Sequence, residues 1–197
     1  MPPLFLIRHG ESSWNTLGLA QGQGDQARLT RRGRRQAAAA AGRFRGHPVR
    51  ALYSSDLRRA LETAAAFSEV LALPVHTDAR LRERSLGVLE GTAATSISPS
   101  AIGVEAGRVT DPDIRPPGGE SVRDLYTRAA AFCDDLGTVA GDDAGGDVVV
   151  VAHGGTLRVL NAYLNGVPVE EMRWEPLENA SILRFPGSAT RSRGASR

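Results

Sequence analysis

Two runs, LFLIR at residues 4–8 and VVVVA at 148–152, constrain the fold more than any other feature of this chain. Each is short, continuous and apolar, with no alternating polar face to turn toward water. Strands of this kind are covered on both sides, which places them inside a parallel sheet with helices on its faces. RALYS at 50–54 is a weaker third candidate, and VHT at 75–77 a short fourth. SILRF at 181–185 alternates more and reads as an edge strand. Helical segments fall between these runs. Thr30 is placed to cap a helix through the alanine-rich stretch to about Arg45, where Gly46 stops it. A second helix is expected over 56–71, and Ser121 with Asp124 resembles a capping box for a third that ends near Gly137. A fourth follows Gly154-Gly155 and closes at Asn165-Gly166. Strand and helix in alternation argue for a layered α/β domain with a mostly parallel sheet.

Residues 91–119 break the alternation. They carry Gly, Pro, Ser and Thr with little periodicity and no aromatic, the pattern of an irregular cover over a site. GTVAGDDAGGD, ahead of the VVVVA run, reads as a surface loop. Residues 1–186 are therefore expected to form a single domain, followed by a disordered basic tail at 187–197. That tail holds Arg191, Arg193 and Arg197 and no acid, and leaving it out takes the formal net charge from +2 to −1. The nominal pI of 9.2 thus gives no basic face for nucleic acid. All 24 basic residues are arginine, and the absence of lysine excludes a Walker-type phosphate loop, a Schiff-base lysine and pyridoxal phosphate chemistry. Cys133 stands alone, so no intrachain disulfide can form. With neither a charged leader nor a membrane-length apolar run, the expected compartment is the cytoplasm and no membrane partner is expected.

The chemistry collects where these strands end. In open parallel sheets, ligands bind beyond the carboxyl ends of the strands. Residues 4–8 run into Arg8-His9-Gly10, residues 148–152 into His153-Gly154-Gly155, and residues 50–54 into Ser54-Ser55-Asp56 with Arg58 and Arg59 close behind. Two histidines and two or three arginines would then share one rim. Such a pocket suits a phosphoryl group, because guanidinium forks pair with its oxygens and a neutral imidazole nitrogen can attack phosphorus. A metal pair is the competing use of two histidines. It is disfavoured here, since no third ligand sits at a helix spacing and the arginines repel a cation. His47 and His76 lie away from this rim and are expected to have no role. On the residues alone, Glu83 could be a surface glutamate paired with Arg82 or Arg84.

Arg8-His9-Gly10-Glu11, with Trp14-Asn15 following, resembles the signature of the histidine phosphatase superfamily, also called the phosphoglycerate mutase-like family. The resemblance continues in order. Gln21-Gly22, Asp25 and Leu29-Thr30 fit a second block, and Ser54 to Ala60 with Thr63-Ala64 fit a third. Leu81-Arg82-Glu83 with Gly87 and Glu90-Gly91 fit a fourth, and Pro117-Gly118-Gly119-Glu120-Ser121 a fifth. Ala152-His153-Gly154 and Asn179-Ala180-Ser181 complete the set. An isolated RHG triplet is weak, whereas seven ordered blocks between residues 4 and 185 are specific. Leu89 departs from the pattern, standing where many members carry tryptophan before the Glu-Gly pair.

The resemblance implies a three-layer sandwich whose mostly parallel central sheet is flanked by helices. It implies that His9 is a nucleophile that becomes phosphohistidine, that Arg8, Arg59 and His153 hold the phosphoryl oxygens, and that Glu83 protonates the leaving oxygen and then activates water. Arg59, directly before Ala60, is favoured over Arg58. Asn15, Gln21, Gly22 and Gly154 would line the phosphate and substrate side. The activity implied is hydrolysis of a small phosphomonoester without metal or other cofactor, by a monomer or homodimer. Phosphoglycerate mutase is the alternative within the family, and a non-catalytic phospholigand-binding protein the alternative outside enzymes. Three features favour hydrolysis: the chain is short, Gln21 stands where mutases carry threonine, and the 91–119 segment offers only Arg108 and Arg115 as basic residues.

Overall fold

The computed structural model describes residues 2–139 and 145–187. Its centre is a five-stranded sheet in the order β3-β2-β6-β1-β7. These strands are β1 (Leu4–Arg8), β2 (Val49–Ser54), β3 (Val75–Thr77), β6 (Asp147–Ala152) and β7 (Ile182–Phe185). β1 and β2 each pair parallel with β6, and β3 pairs parallel with β2. Only β7 runs antiparallel, at the edge beside β1, as its alternating sequence predicts. The two apolar runs are therefore neighbours, with Arg8 opposite Ala152 at their carboxyl ends.

Strand periodicity sorts the β6 side chains into two cores. Val148, Val150 and Ala152 point to one face, where they meet α5 (Val122–Val139) and α6 (Gly154–Leu164) through Leu125, Ala129, Phe132, Leu157 and Leu160. Val149 and Val151 point to the other face, onto α2 (Arg31–Gly42) and α3 (Arg58–Leu71) through Ala40, Ala41, Ala60, Ala64 and Phe67. This is the three-layer α/β sandwich. The VVVVA run has no polar face because both of its faces are interior. Among the described residues, no helix is long and apolar enough to cross a membrane.

Several boundaries differ from the sequence expectation, each for a local reason. α2 stops at Gly42, and residues 43–46 continue as tighter turns in which Arg43 and Phe44 donate to the Ala40 and Ala41 carbonyls three residues back. α3 begins at Arg58 because Leu57 remains extended and the Asp25 carboxylate, from a distant loop, accepts from the Arg58 N–H at 2.7 Å. α5 passes through Gly137, which stays helical. Its capping box forms: Ser121 N–H donates to Asp124 Oδ2 at 2.8 Å and Asp124 N–H to Ser121 Oγ at 3.1 Å. α6 takes Gly154 and Gly155 as its first residues, with His153 at the N-cap.

Residues 91–119 are not irregular throughout. They include α4 (Pro99–Ile102) and a two-stranded hairpin of β4 (Val104–Glu105) and β5 (Arg108–Val109). A buried arginine ties the segment down: Arg84 donates to the carbonyls of Ile102, Ile114 and Glu120 at 2.7, 2.9 and 2.7 Å. The remaining short helix, α1 (Ser13–Thr16), follows the tip of β1. The 187–197 tail, beyond Gly187, and residues 140–144 of the GTVAGDDAGGD stretch lie outside the described residues, while residues 137–139 of that stretch belong to α5 and Asp147 to β6.

Candidate active site

Parallel pairing of β1 with β6 sets His9 and His153 side by side, with ring centroids 5.2 Å apart. Ser55, at the end of β2, donates its N–H to the Val151 carbonyl at 3.0 Å and brings its hydroxyl within 2.8 Å of His153 Nε2. Three strand ends thus meet at one rim. His9 is 2% exposed and His153 fully buried. Burial, reinforced by the Arg59 and Arg8 charges, holds His9 well below the usual imidazole range. Burial and Arg59 do the same to His153. Both rings are therefore neutral near pH 7. His9 Nδ1 lies 2.7 Å from the Gly10 carbonyl, which can only accept, so Nδ1 carries the proton and the lone pair is on Nε2.

The arginines are arranged for an anion. Arg59, in the first turn of α3, is fully buried without a carboxylate contact; Nη1 and Nη2 donate to the Gly24 and Gly22 carbonyls at 2.8 and 2.7 Å. Burial brings its pKa down to about 10, so it stays charged. Arg8 donates Nη1 to the Leu177 carbonyl. Arg8 Nε, Arg59 Nε and His153 Nδ1 are buried polar atoms with no hydrogen-bond partner in the protein. An unsatisfied buried donor such as either guanidinium Nε costs stability, on the order of 1–3 kcal/mol, and His153 Nδ1 joins them as a donor in the tautomer in which the Ser55 hydroxyl donates to Nε2. Their grouping beside His9 marks a place built for an acceptor.

Arg8, His9 and Arg59 line a cavity of about 260 Å³ together with Asn15, Gln21, Gly22 and Glu83. Asn15 Oδ1 is taken up by Ser12 N–H and Asn179 Nδ2, and Gln21 Oε1 by the Ser12 hydroxyl. Their amide nitrogens remain as donors. Gly22 has φ +47°, and a Cβ there would meet the Glu90 carboxylate at 2.2 Å, which explains glycine under the arginine. His153 and Gly154 are not among the lining residues, where Gly155 stands instead; the His153 ring adjoins the cavity through its contact with His9. Gly154 is still sterically tied to the site, since a Cβ there would approach Arg158 Nη1 at 3.0 Å and Arg8 Nε at 3.6 Å.

Glu83 is not a surface glutamate in an ion pair. Arg82 turns away to Asp56, in contacts of 2.7 and 2.5 Å, and Arg84 is spent on carbonyls. The Glu83 carboxylate is held by backbone: Arg84 N–H donates to Oε1 at 2.8 Å, and Gly155 N–H at the α6 N-terminus donates to Oε2 at 2.9 Å. Its own segment is anchored by Arg128, which donates to the Arg80, Arg82 and Glu83 carbonyls at 2.7, 2.7 and 2.8 Å. Arg128 also pairs with Glu120 through both carboxylate oxygens at 2.9 Å.

Arg58 lies outside the cavity and pairs with Asp25, while His47 pairs with Asp147 at the far end of β6. Residues not singled out in the sequence complete the site. Arg158, Trp174, Leu19, Leu86, Ile102 and Val104 also line the cavity. Arg158 carried a readable signal, since it follows a strand-end histidine into a helix much as Arg59 follows Ser55. Trp174, Ile102 and Val104 carried none, because only tertiary packing brings them to the rim. Among the described residues, no three His, Cys, Asp or Glu side chains are grouped so as to hold a metal ion.

The sequence profile of the histidine phosphatase superfamily (branch 1) matches residues 4–193. Glucosyl-3-phosphoglycerate phosphatase of Mycolicibacterium vanbaalenii is 38% identical over 191 residues, covering 93% of this chain and 84% of the relative. A probable phosphoglycerate mutase of Yersinia enterocolitica is 36% identical over 192 residues with the same coverage, 93% and 84%. The solved structure of a mycobacterial glucosyl-3-phosphoglycerate phosphatase in complex with VO3 superposes with a TM-score of 0.82 at 35% identity, over 93% of this chain and 90% of that one.

Proposed function

The chain belongs to the histidine phosphatase superfamily, branch 1, and is a phosphatase of that type acting on small phosphorylated metabolites; we propose that His9 is its nucleophile, that Arg8, Arg59 and His153 hold the phosphoryl oxygens, and that Glu83 is its acid and base. The observation that carries this assignment is the neutral His9 ring, locked by the Gly10 carbonyl in the tautomer that leaves Nε2 a lone pair. Nε2 attacks phosphorus, and the ester P–O bond breaks as Glu83 gives its proton to the leaving oxygen. Glu83, now a carboxylate, then takes a proton from water as that water attacks phosphorus. The N–P bond breaks, and orthophosphate and neutral His9 result. Two arginines match a dianionic monoester in charge, and fixed donors stabilise charge that builds on the transferring group. Asn15, Gln21 and Gly22 face the substrate side.

Water rather than a second substrate is the final acceptor in this reading. Neither Arg108 nor Arg115 lines the cavity, and Arg115 is paired with Asp124, so the basic residues of the 91–119 segment do not reach the site. Both relatives reported above are named for phosphoglycerate chemistry, and a small phosphorylated hydroxy acid or its derivative is the substrate we assign. Cys133 is free and buried, with its thiol pushed up to about 12, so it stays protonated and takes no part in the chemistry. Rapid quench after mixing with a ³²P-labelled monoester tests the reading. Label that is stable to base and labile to acid is expected in the wild type and absent from His9→Ala. Normal turnover by His9→Ala would overturn it.

A further inference from the structure

The cavity lining holds two more arginines than the phosphoryl group needs, Arg84 and Arg158. Arg158, one turn into α6, sits against Trp174 with its guanidinium carbon 5.2 Å from the ring centroid. Nε is used by the Glu175 carbonyl at 2.5 Å, and no protein hydrogen bond engages either Nη group among the described residues. No carboxylate pairs with it there either. Arg84, the other additional arginine of the lining, differs: its three nitrogens are bound to carbonyls and hold the 102–120 segment in place. Arg158 and Arg8 flank a common point, since both lie within 4 Å of where a Gly154 Cβ would stand. Burial lowers the Arg158 pKa, Glu83 opposes that and Arg8 adds to it, so both catalytic neighbours feel its charge.

Charge matching decides what this cation is for. Arg8 and Arg59 balance the phosphate dianion, and Glu83 must be protonated when the ester bond breaks. That leaves the positive charge of Arg158 unmatched in a confined site. Leu19, Leu86, Ile102 and Val104, which also line the cavity, are apolar and offer no anion. We infer that Arg158 is a specificity-determining residue that binds a carboxylate on the leaving group, its two Nη groups forming the fork, so that the enzyme selects phosphomonoesters of hydroxy acids over uncharged ones. The inference rests on the phosphatase reading above and deepens it. Arginine forks match planar carboxylates, and the Trp174 face keeps the fork oriented while its stem is packed.

The test compares 3-phosphoglycerate with glycerol 3-phosphate, which differ in a carboxylate against a hydroxymethyl group. The wild type should prefer the carboxylate by kcat/KM, and Arg158→Met, which keeps the stem packed on Trp174, should reduce that preference about 10- to 100-fold. The loss should fall mainly on KM for 3-phosphoglycerate, because the carboxylate is bound alike in ground and transition states. Arg158→Lys, a point charge, should keep part of the preference. A preference unchanged in Arg158→Met, or absent from the wild type, would overturn the inference. Equal losses on both esters would overturn it too, making Arg158 a phosphate ligand. The phosphatase reading is judged apart from this, by phosphohistidine formed from p-nitrophenyl phosphate.

Discussion

Gly155→Ala separates the placement of Glu83, the proposed acid, from the stability of the fold. A Cβ built at Gly155 would stand 2.3 Å from Glu83 Oε1, 3.2 Å from its Cδ and 3.3 Å from Trp174 Cζ2. Restoring ordinary contact at 3.4 Å moves the Glu83 carboxylate by about 1 Å, and a displacement of that size costs about 100-fold in a positioned reaction. The main chain has reason to stay put. Gly155 is helical, and alanine in a helix is favoured over glycine by about 0.5–1 kcal/mol. Set against that, the carboxylate would give up one or both of its backbone hydrogen bonds, each worth about 0.5–1.5 kcal/mol net. With one bond lost the two terms nearly cancel, with both lost a net cost of about 1 kcal/mol remains, and for a chain of this size 1 kcal/mol shifts Tm by about 2–4 °C. The melting temperature should therefore move by only a few degrees. Single-turnover quench should show phosphohistidine formation from an alkyl phosphate slowed about 100-fold, since an alkoxide leaves only with a proton. Formation from p-nitrophenyl phosphate, whose phenolate leaves unaided, should slow far less. Wild-type rates on both esters would refute the placement of Glu83 as the acid. Equal slowing of both would show that the new methyl obstructs the phosphoryl group instead.

Three further outcomes follow from the geometry. His9 and His153 have pKa values held below 6.5, so beneath that pH the unfolded chain binds more protons than the folded one; their contribution to stability is complete above pH 6.5 and is lost as the pH falls. Tm should drop between pH 6.5 and 5, while kcat/KM, corrected for the substrate's second ionisation near 6, shows no loss from protonation of an imidazole; an activity loss titrating at 6.5 in that profile would rule out a pre-neutralised His9. Arg84→Met strands three carbonyls that its guanidinium now satisfies, and chemical denaturation should register a loss of about 3 kcal/mol; an unchanged midpoint would mean that these bonds do not hold the segment. Because arginines supply the positive charge at the site, excess EDTA should leave turnover unchanged while vanadate inhibits competitively. Activity lost to EDTA and restored by a divalent ion would contradict that account.

Much of this architecture is legible in the chain itself. VVVVA has to be buried on both faces, LFLIR likewise, and two such runs ending in His-Gly place both histidines on one rim once the strands are parallel. The capping box at Ser121 and Asp124 and the edge position of SILRF follow from equally local rules. The start of α3 was not legible, because the group that satisfies its first N–H is Asp25, more than thirty residues earlier in the chain.

The site divides along the same line. His9, Arg8, Arg59 and His153 announce themselves because each directly ends a strand or opens the following helix, so sequence position and spatial position coincide. Glu83 is different. Its neighbours Arg82 and Arg84 look like its partners, and only the fold sends the first to Asp56 and the second to three carbonyls, leaving the carboxylate to the α6 N-terminus. The apolar part of the lining is the extreme case. Ile102, Val104 and Trp174 come from segments with no periodicity to read, and what gathers them is the Arg84 clamp and the cation–π contact with Arg158. Sequence alone determined the strands, their mostly parallel pairing and which residues end them, because local patterning dictates these. The tertiary structure alone decided which arginines remain available to a ligand, because that depends on which carbonyls and carboxylates the folded chain has already used.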